Sequence, residues 1–249
     1  MTNKKVAIVT GATGGIGFAV AKRLGKDGFI VVINGIEDEK GAERVEELAA
    51  AGIDAEYYGF DVTKEELVTE NITKIGEKYG KIDVLINNAG IFEYSPINSE
   101  NWMDTWHKTM DTNLTSAALL CKLTIEQFLK NKGGRIINIS SRAAFRGDTK
   151  DYLAYAASKG GLTSLARTVA RSFGKDRITS FTIAPGFTRT AMAEPFIEAY
   201  GEEVLLKEIS LPELTVPKDI SPLAAFICSG AMDHATGTVI DVNAGSYMH

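Results

Sequence analysis

Val6-Ala-Ile-Val9-Thr10-Gly-Ala-Thr-Gly-Gly-Ile-Gly17 is a short apolar run, then a loop with glycines at 11, 15 and 17, then a helical pattern through Leu24. This is the strand, glycine loop, helix order of a dinucleotide site. Glycines there let the backbone turn tightly and approach a pyrophosphate, which a helix N-terminus favours electrostatically. Gly11, Thr13, Gly14, Gly15, Ile16 and Gly17 are therefore the candidate phosphate cradle. The spacing differs from GxGxxG, and glycine turns also serve as plain connectors. The position at the first strand-to-helix junction points to phosphate.

Working outward, Phe29-Ile-Val-Val-Ile33 reads as a second strand, a continuous apolar run suited to a parallel sheet covered on both faces. Its end should meet the adenosine ribose, where an acid would bind the 2′-hydroxyl of NAD and an arginine the 2′-phosphate of NADP. Asn34-Gly-Ile36 stands there, followed by Glu37-Asp-Glu39, and neither marker is present. Asn34 and Ile36 are the candidate ribose contacts. Gly14 stands where a basic residue could reach the phosphate, and the acidic cluster would repel it, so the reading leans to NAD over NADP. After a helix through Leu48 and a strand from Ala55 to Phe60 come Asp61-Val62. Asp61 either accepts from the adenine amino group or caps the helix after Thr63. Ile82 to Ile86 is a fourth strand running into Asn87-Asn-Ala-Gly90. Adjacent asparagines suit a turn, while Asn88, Ala89 and Gly90 offer bare backbone on which a flat ring could lie.

Residues 99 to 131 read as helix with a break, carrying Trp102, Trp106 and a polar Asn113. An asparagine inside an apolar helix usually bonds backbone or water. A strand from Arg135 to Ile139 ends in Ser140-Ser141, and a helix after Lys150 runs to about Phe173. Another strand, Ile178 to Ile183, leads into Ala184-Pro-Gly-Phe-Thr-Arg-Thr190. Residues 187–214 are expected to form a mobile lid, partly helical. A helix from Pro217 to Cys228 and a strand from Thr238 to Val242 close the pattern. Strand and helix alternate without linker or repeat. That predicts one domain over 1–249, a doubly wound parallel α/β sheet of the Rossmann type with about seven strands and flanking helices. Ligand should sit outside the carboxyl ends of its strands.

The formal charge of −5 and pI near 5.4 supply no broad basic field, which argues against nucleic acid or an anionic membrane as partner and favours a small molecule. Cys121 and Cys228 lie in apolar contexts far apart and read as buried thiols in a reducing cytosol. No signal h-region precedes the first strand and no run is long enough for a membrane helix, so a cytoplasmic protein is expected. His107, His234 and His249 have no ligand-like spacing, and no catalytic metal is expected.

Tyr155 and Lys159 stand four apart on the expected helix and so share a face. A free phenol ionises near pH ~10, and moving it three units costs ~4 kcal/mol. A positive charge ~4 Å away at an effective dielectric of ~20 supplies about that much. Lys159 is thus expected to lower the Tyr155 pKa and make it a general acid or base, with Ser141 offering its hydroxyl to the substrate oxygen. Such a pair is common on amphipathic helices, but of the eight tyrosines only Tyr155 has a lysine at that offset.

These motifs together resemble the short-chain dehydrogenase/reductase family over nearly the whole chain, in Thr10 to Gly17, Asn87 to Gly90, Tyr155 to Lys159, and Pro185-Gly186 followed by Thr190. The resemblance implies that Asn113, Ser141, Tyr155 and Lys159 match the family's catalytic four. Tyr155 would exchange the proton, Ser141 would polarise the substrate oxygen, and Lys159 would hold the nicotinamide ribose. Asn113 would position a relay water. Pro185, Gly186, Thr188 and Thr190 would line the nicotinamide end, the threonines fixing its carboxamide. It further implies a homotetramer, or a homodimer, built through the Tyr155 helix. Ser141 and Tyr155 are 14 positions apart, one more than the family spacing, so the loop from Arg142 to Asp151 is expected to be reshaped, with Ser140 as a rival. The favoured activity is NAD(P)-dependent interconversion of a secondary alcohol and a ketone; a 3-oxoacyl-thioester reductase is the specific alternative, and a sugar, small ketone or ring alcohol stays open as substrate. The alternatives are a non-catalytic dinucleotide-binding regulator and an extended epimerase or dehydratase; the latter normally carries GxxGxxG and a larger C-terminal domain.

Overall fold

A computed structural model describes residues 3–248; Met1, Thr2 and His249 lie outside the described residues. In chain order come β1 (Val6–Val9), α1 (Gly15–Lys26), β2 (Ile30–Gly35), α2 (Asp38–Ala50), β3 (Ala55–Gly59), α3 (Glu65–Tyr79) and β4 (Val84–Asn87). The helices α4 (Trp102–Met110) and α5 (Ser116–Lys130) are joined by a π-helical turn, Asp111–Thr115. There follow β5 (Gly134–Ile139), α6 (Ala143–Arg146), α7 (Leu153–Phe173) and β6 (Ile178–Pro185). The remaining elements are α8 (Glu194–Tyr200), α9 (Glu202–Leu206), α10 (Pro217–Ser229) and β7 (Val239–Val242).

All the strands pair in parallel in one seven-stranded sheet ordered β3-β2-β1-β4-β5-β6-β7. Successive strand residues point to opposite faces, and both faces are covered. Ala7, Val9, Val31 and Ile33 pack with Leu24 of α1 and Ile220 of α10, while Val6, Ile8 and Val32 pack with Ile72 of α3 and Leu120 of α5. This two-sided burial makes the strands continuous apolar runs. It also parts the cysteines, Cys228 lying in the first cluster and Cys121 in the second. Both are free thiols that burial pushes up to about 12. No helix among the described residues is long and apolar enough to cross a membrane.

Strand order reverses between β1 and β4, opening the crevice in which folds of this kind hold ligand. The expected strands match to within about two residues. β2 continues past Ile33 because Asn34 and Gly35 still pair with Tyr58 and Gly59 of β3. The expected break in the helix over 99–131 is the π turn, and the loop after Ser141 contains the one-turn helix α6. Residues 187–214 carry α8 and α9 and are tied down by Arg189 on Glu202, by the Ser210 N–H on the Ala244 carbonyl at 2.8 Å, and by Glu208 on Arg142 at 2.9 Å.

Candidate active site

The glycine loop leaves β1 against the end of β4. Gly11 has φ +59°, and a Cβ on it would lie 2.9 Å from the Ala89 Cα. A Cβ on Gly17 would lie 2.5 Å from Asn88 Nδ2 and 2.7 Å from the Gly11 carbonyl. Asn88 Nδ2 donates to the carbonyls of Thr10 (2.8 Å) and Gly11 (3.0 Å), and Thr10 Oγ1 accepts from the N–H groups of Asn88 and Ala89. Thr10 and Asn88 thus staple the two loops together. Thr10 entered the sequence reading only as the start of the glycine motif, because its stapling role depends on the β1–β4 adjacency. Helix α1 has no side-chain cap, so the N–H groups of its first turn face the loop that Gly14 and Gly15 leave open. Ile16 packs against the core, Thr190 lies against Gly15, and nothing stands within 4 Å of a Cβ on Gly14. A pyrophosphate with its nucleoside arms suits this cradle, whose glycines admit backbone approach at the points where a side chain would collide.

At the ribose end the Asn34 side chain is turned inward. Its Nδ2 donates to the carbonyls of Phe60 (2.9 Å) and Tyr58 (3.2 Å), and its Oδ1 accepts from the Gly11 N–H at 3.4 Å. Its amide therefore positions the glycine loop from below. Ile36 is 74% exposed, and the Thr13 methyl covers Gly35. Asp61 Oδ1 accepts from both the N–H and the hydroxyl of Thr63 at 2.8 Å, and Val62 is buried in the core. Arg44 of α2 donates to the Thr13 carbonyl at 3.1 Å and to Glu47 at 2.8 Å. It props the loop from a helix whose sequence gave no hint of that contact.

The strand end after β5 separates the two serines. Ser140 Oγ donates to the Lys159 carbonyl at 3.0 Å and pairs with Thr163 Oγ1, which buries it in the α7 packing. Ser141 points the other way; its Oγ accepts the Ala143 N–H at 3.1 Å and acts on the Tyr155 phenol, whose pKa it lowers. The Ser140 hydroxyl is thus taken up by packing, while that of Ser141 lies on the Tyr155 side. Half-buried Tyr155 meets the edge of Phe92 at 4.7 Å between centroids, and Phe92 stacks on Tyr152 at 3.9 Å. Lys159 Nζ lies over the Tyr155 ring, 5.7 Å from its centroid, and donates to the Ile139 carbonyl at 2.9 Å.

The expectation that Lys159 lowers the Tyr155 pKa is corrected. Burial pushes the phenol up to about 12, opposed by the neighbouring Ser141 hydroxyl and reinforced by the charge of Asp148. Burial brings Lys159 down to about 8. The ammonium is turned to the Ile139 carbonyl, so desolvation outweighs its attraction for a phenolate. The phenol therefore keeps its proton at neutral pH.

Asn113 sits in the π turn, 1% exposed. Its Oδ1 accepts the Ile91 N–H (2.8 Å), and its Nδ2 donates to the Ile91 carbonyl (3.0 Å) and to Ser158 Oγ (3.1 Å). A Cβ on Gly90 would lie 3.2 Å from Asn113 Oδ1 and 3.4 Å from Lys159 Nζ, so Gly90 sits between them. Beyond β6, a Cβ on Gly186 would strike the Asn243 Cα at 2.8 Å, and Thr188 Oγ1 donates to the Gly186 carbonyl at 3.1 Å. Pro185 accepts the Arg142 N–H at 3.0 Å, which ties the serine loop to the same strand edge.

The family profile of the short chain dehydrogenases matches residues 5–201. The chain belongs to the short chain dehydrogenase family. It is 34% identical over 242 residues to the 3-oxoacyl-acyl-carrier-protein reductase FabG of Chlamydia muridarum, covering 97% of this chain and 96% of that one. It is also 34% identical over 245 residues to the 2-dehydro-3-deoxy-D-gluconate 5-dehydrogenase of Formosa agariphila, covering 97% and 92%. Among solved structures, an actinorhodin polyketide ketoreductase variant with NADPH superposes with a TM-score of 0.92 at 26% identity, covering 98% and 97%. The protein is an NAD(P)-dependent oxidoreductase acting on an alcohol or ketone group. Among the described residues no group of three or more His, Cys, Asp or Glu side chains is placed to hold a metal.

Proposed function

We propose that the protein reduces a ketone to a secondary alcohol, or reverses that reaction, with Tyr155 giving and taking the proton. The observation that carries this reading is the grouping of the Tyr155 phenol with Ser141 at the end of β5 and with Lys159 Nζ, 5.7 Å from the centre of the same ring. When bound, the nicotinamide supplies the hydride. Tyr155 Oη then delivers its proton to the substrate oxygen, which Ser141 Oγ orients. Lys159 holds the ribose, and the proton that Tyr155 gives up is replaced from solvent through a relay water. Asn113 fixes the Ile91 backbone, and the second lone pair of its Oδ1 accepts the relay water. Gly11, Thr13, Gly14, Gly15, Ile16 and Gly17 hold the pyrophosphate and Asn88, Ala89 and Gly90 flank the ring. Asp61, Val62 and Ile36 meet the adenosine, and Pro185, Gly186, Thr188 and Thr190 meet the carboxamide.

The cofactor we favour is NAD. The cations nearest the ribose end are engaged: Lys40 pairs with Glu37 at 3.7 Å, and Arg44 with Glu47. Gly14 adds no charge, and a 2′-phosphate would meet Glu37 and Asp38. Titrating the protein with NADH and NADPH by reduced-nicotinamide fluorescence should give tighter NADH binding, and a clear preference for NADPH would overturn this choice. A carbonyl panel followed by absorbance of the reduced cofactor then locates the substrate. The FabG similarity supports a second substrate reading, a 3-oxoacyl thioester, which acetoacetyl-CoA tests in the same assay. We further propose a cytoplasmic homotetramer or homodimer built through α7, with residues 187–214 as a lid over one domain; sedimentation as a monomer alone would refute the assembly.

A further inference from the structure

Arg142 directly follows Ser141 and is 8% exposed. Its Nη2 donates to Glu208 Oε2 at 2.9 Å, and Arg146 Nη2 donates to the same oxygen at 3.4 Å. Its Nη1 is buried and has no acceptor among the described residues. A guanidinium presents its N–H donors as a planar fork that matches a carboxylate two at a time, and a buried donor left unpaired is costly. One lid carboxylate oxygen is thus shared by two cations. The other acid facing them is Asp148, an exposed residue whose field reaches both Arg142 and Tyr155. Neither acid meets Nη1, and that unpaired donor belongs to the residue next to the hydroxyl that orients the reacting oxygen.

We propose that Arg142 is a specificity-determining residue whose guanidinium takes the carboxylate of the substrate, so that the enzyme acts on oxo acids or hydroxy acids in preference to neutral ketones and esters. The proposal rests on the oxidoreductase reading above and narrows its substrate class. Glu208 steadies one edge of the guanidinium from the lid, and the substrate carboxylate receives the other. Arg146, more exposed, adds to the positive field.

The test pairs each acid with a neutral partner in the wild-type chain: acetoacetate and levulinate beside their methyl esters with NADH, and gluconate beside glucose with NAD. At least one acid should be used with kcat/KM about 10- to 100-fold above its partner, the range of a hydrogen-bonded charge. In Arg142→Gln that ratio should fall to about one through KM, with NADH affinity unchanged, and Arg142→Lys should restore part of it. A merely structural arginine, or one whose Nη1 holds only a water, would leave acid and neutral partner alike in the wild type or lower both together in the variant; either result overturns the proposal. Should Arg142→Gln fail to fold, competitive inhibition of the wild type by succinate against succinamide reads the same preference, and equal inhibition sinks it. Turnover of neutral carbonyls with none of acids would end this proposal and leave the oxidoreductase reading standing. No turnover of any carbonyl or alcohol, with NADH bound, would end both.

Discussion

Burial acts in opposite senses on Tyr155 and Lys159, holding the phenol proton up to about 12 and releasing the ammonium proton near about 8. The four-residue spacing was readable because it is a property of one helix. The turn of Nζ to the Ile139 carbonyl was not, because that carbonyl comes from β5 and meets α7 only in the folded chain. The folded pKa of Lys159 lies below the ~10.4 of an unfolded lysine, so the charged form is penalised in the native state. Below about pH 8 the penalty is present in full. From there to ~10.4 the unfolded chain binds more protons than the native one, and stability rises with pH. Urea unfolding followed between about pH 7 and about pH 10 should show this rise in the wild type and a flatter profile in Lys159→Met. Identical profiles would contradict the assigned burial.

Among the elements, the rod from α4 to α5 shows what periodicity leaves hidden. A polar Asn113 in an apolar helix was visible, and so was a break, but no glycine or proline marked where it fell. The π turn adds a residue to the helical repeat and re-aims the side chains within it, which lets Asn113 grip the Ile91 backbone from both sides. Asn113→Ala leaves those groups unpaired and should destabilise the chain by about 1–3 kcal/mol, read as a lower urea midpoint at unchanged slope. An unaltered midpoint would show that the clamp contributes nothing. The sequence reading favoured Ser141 over Ser140 by resemblance; the physical separation of the two was beyond it, because adjacent residues at a strand end face opposite sides and only the packing of α7 on β5 fixes where each hydroxyl goes. The glycine loop was legible because its requirement is local: Gly11 and Gly15 have φ near +60°, which few other residues adopt.

For the whole molecule, continuous apolar strands alternating with amphipathic helices led to the doubly wound sheet, since both sheet faces must be covered. The reversal of strand order between β1 and β4 brings the loops after β1 and β4 together, and the ends of β5 and β6 adjoin them along the same edge. Long-range supports stayed unreadable: Arg44 under the glycine loop, Thr10 between β1 and β4, and the ties that hold residues 187–214. Each joins segments far apart in sequence, and no local pattern encodes such a contact. The account as a whole depends on a nicotinamide and the Tyr155 phenol meeting at one strand edge. Turnover of Tyr155→Phe, measured with NADH affinity on the same preparation and the best carbonyl from the panel, tests this most directly. We expect kcat to fall about a hundred- to ten-thousand-fold, as for loss of a general acid, with NADH affinity within about twofold of the wild type. Near wild-type turnover with NADH still bound would contradict it.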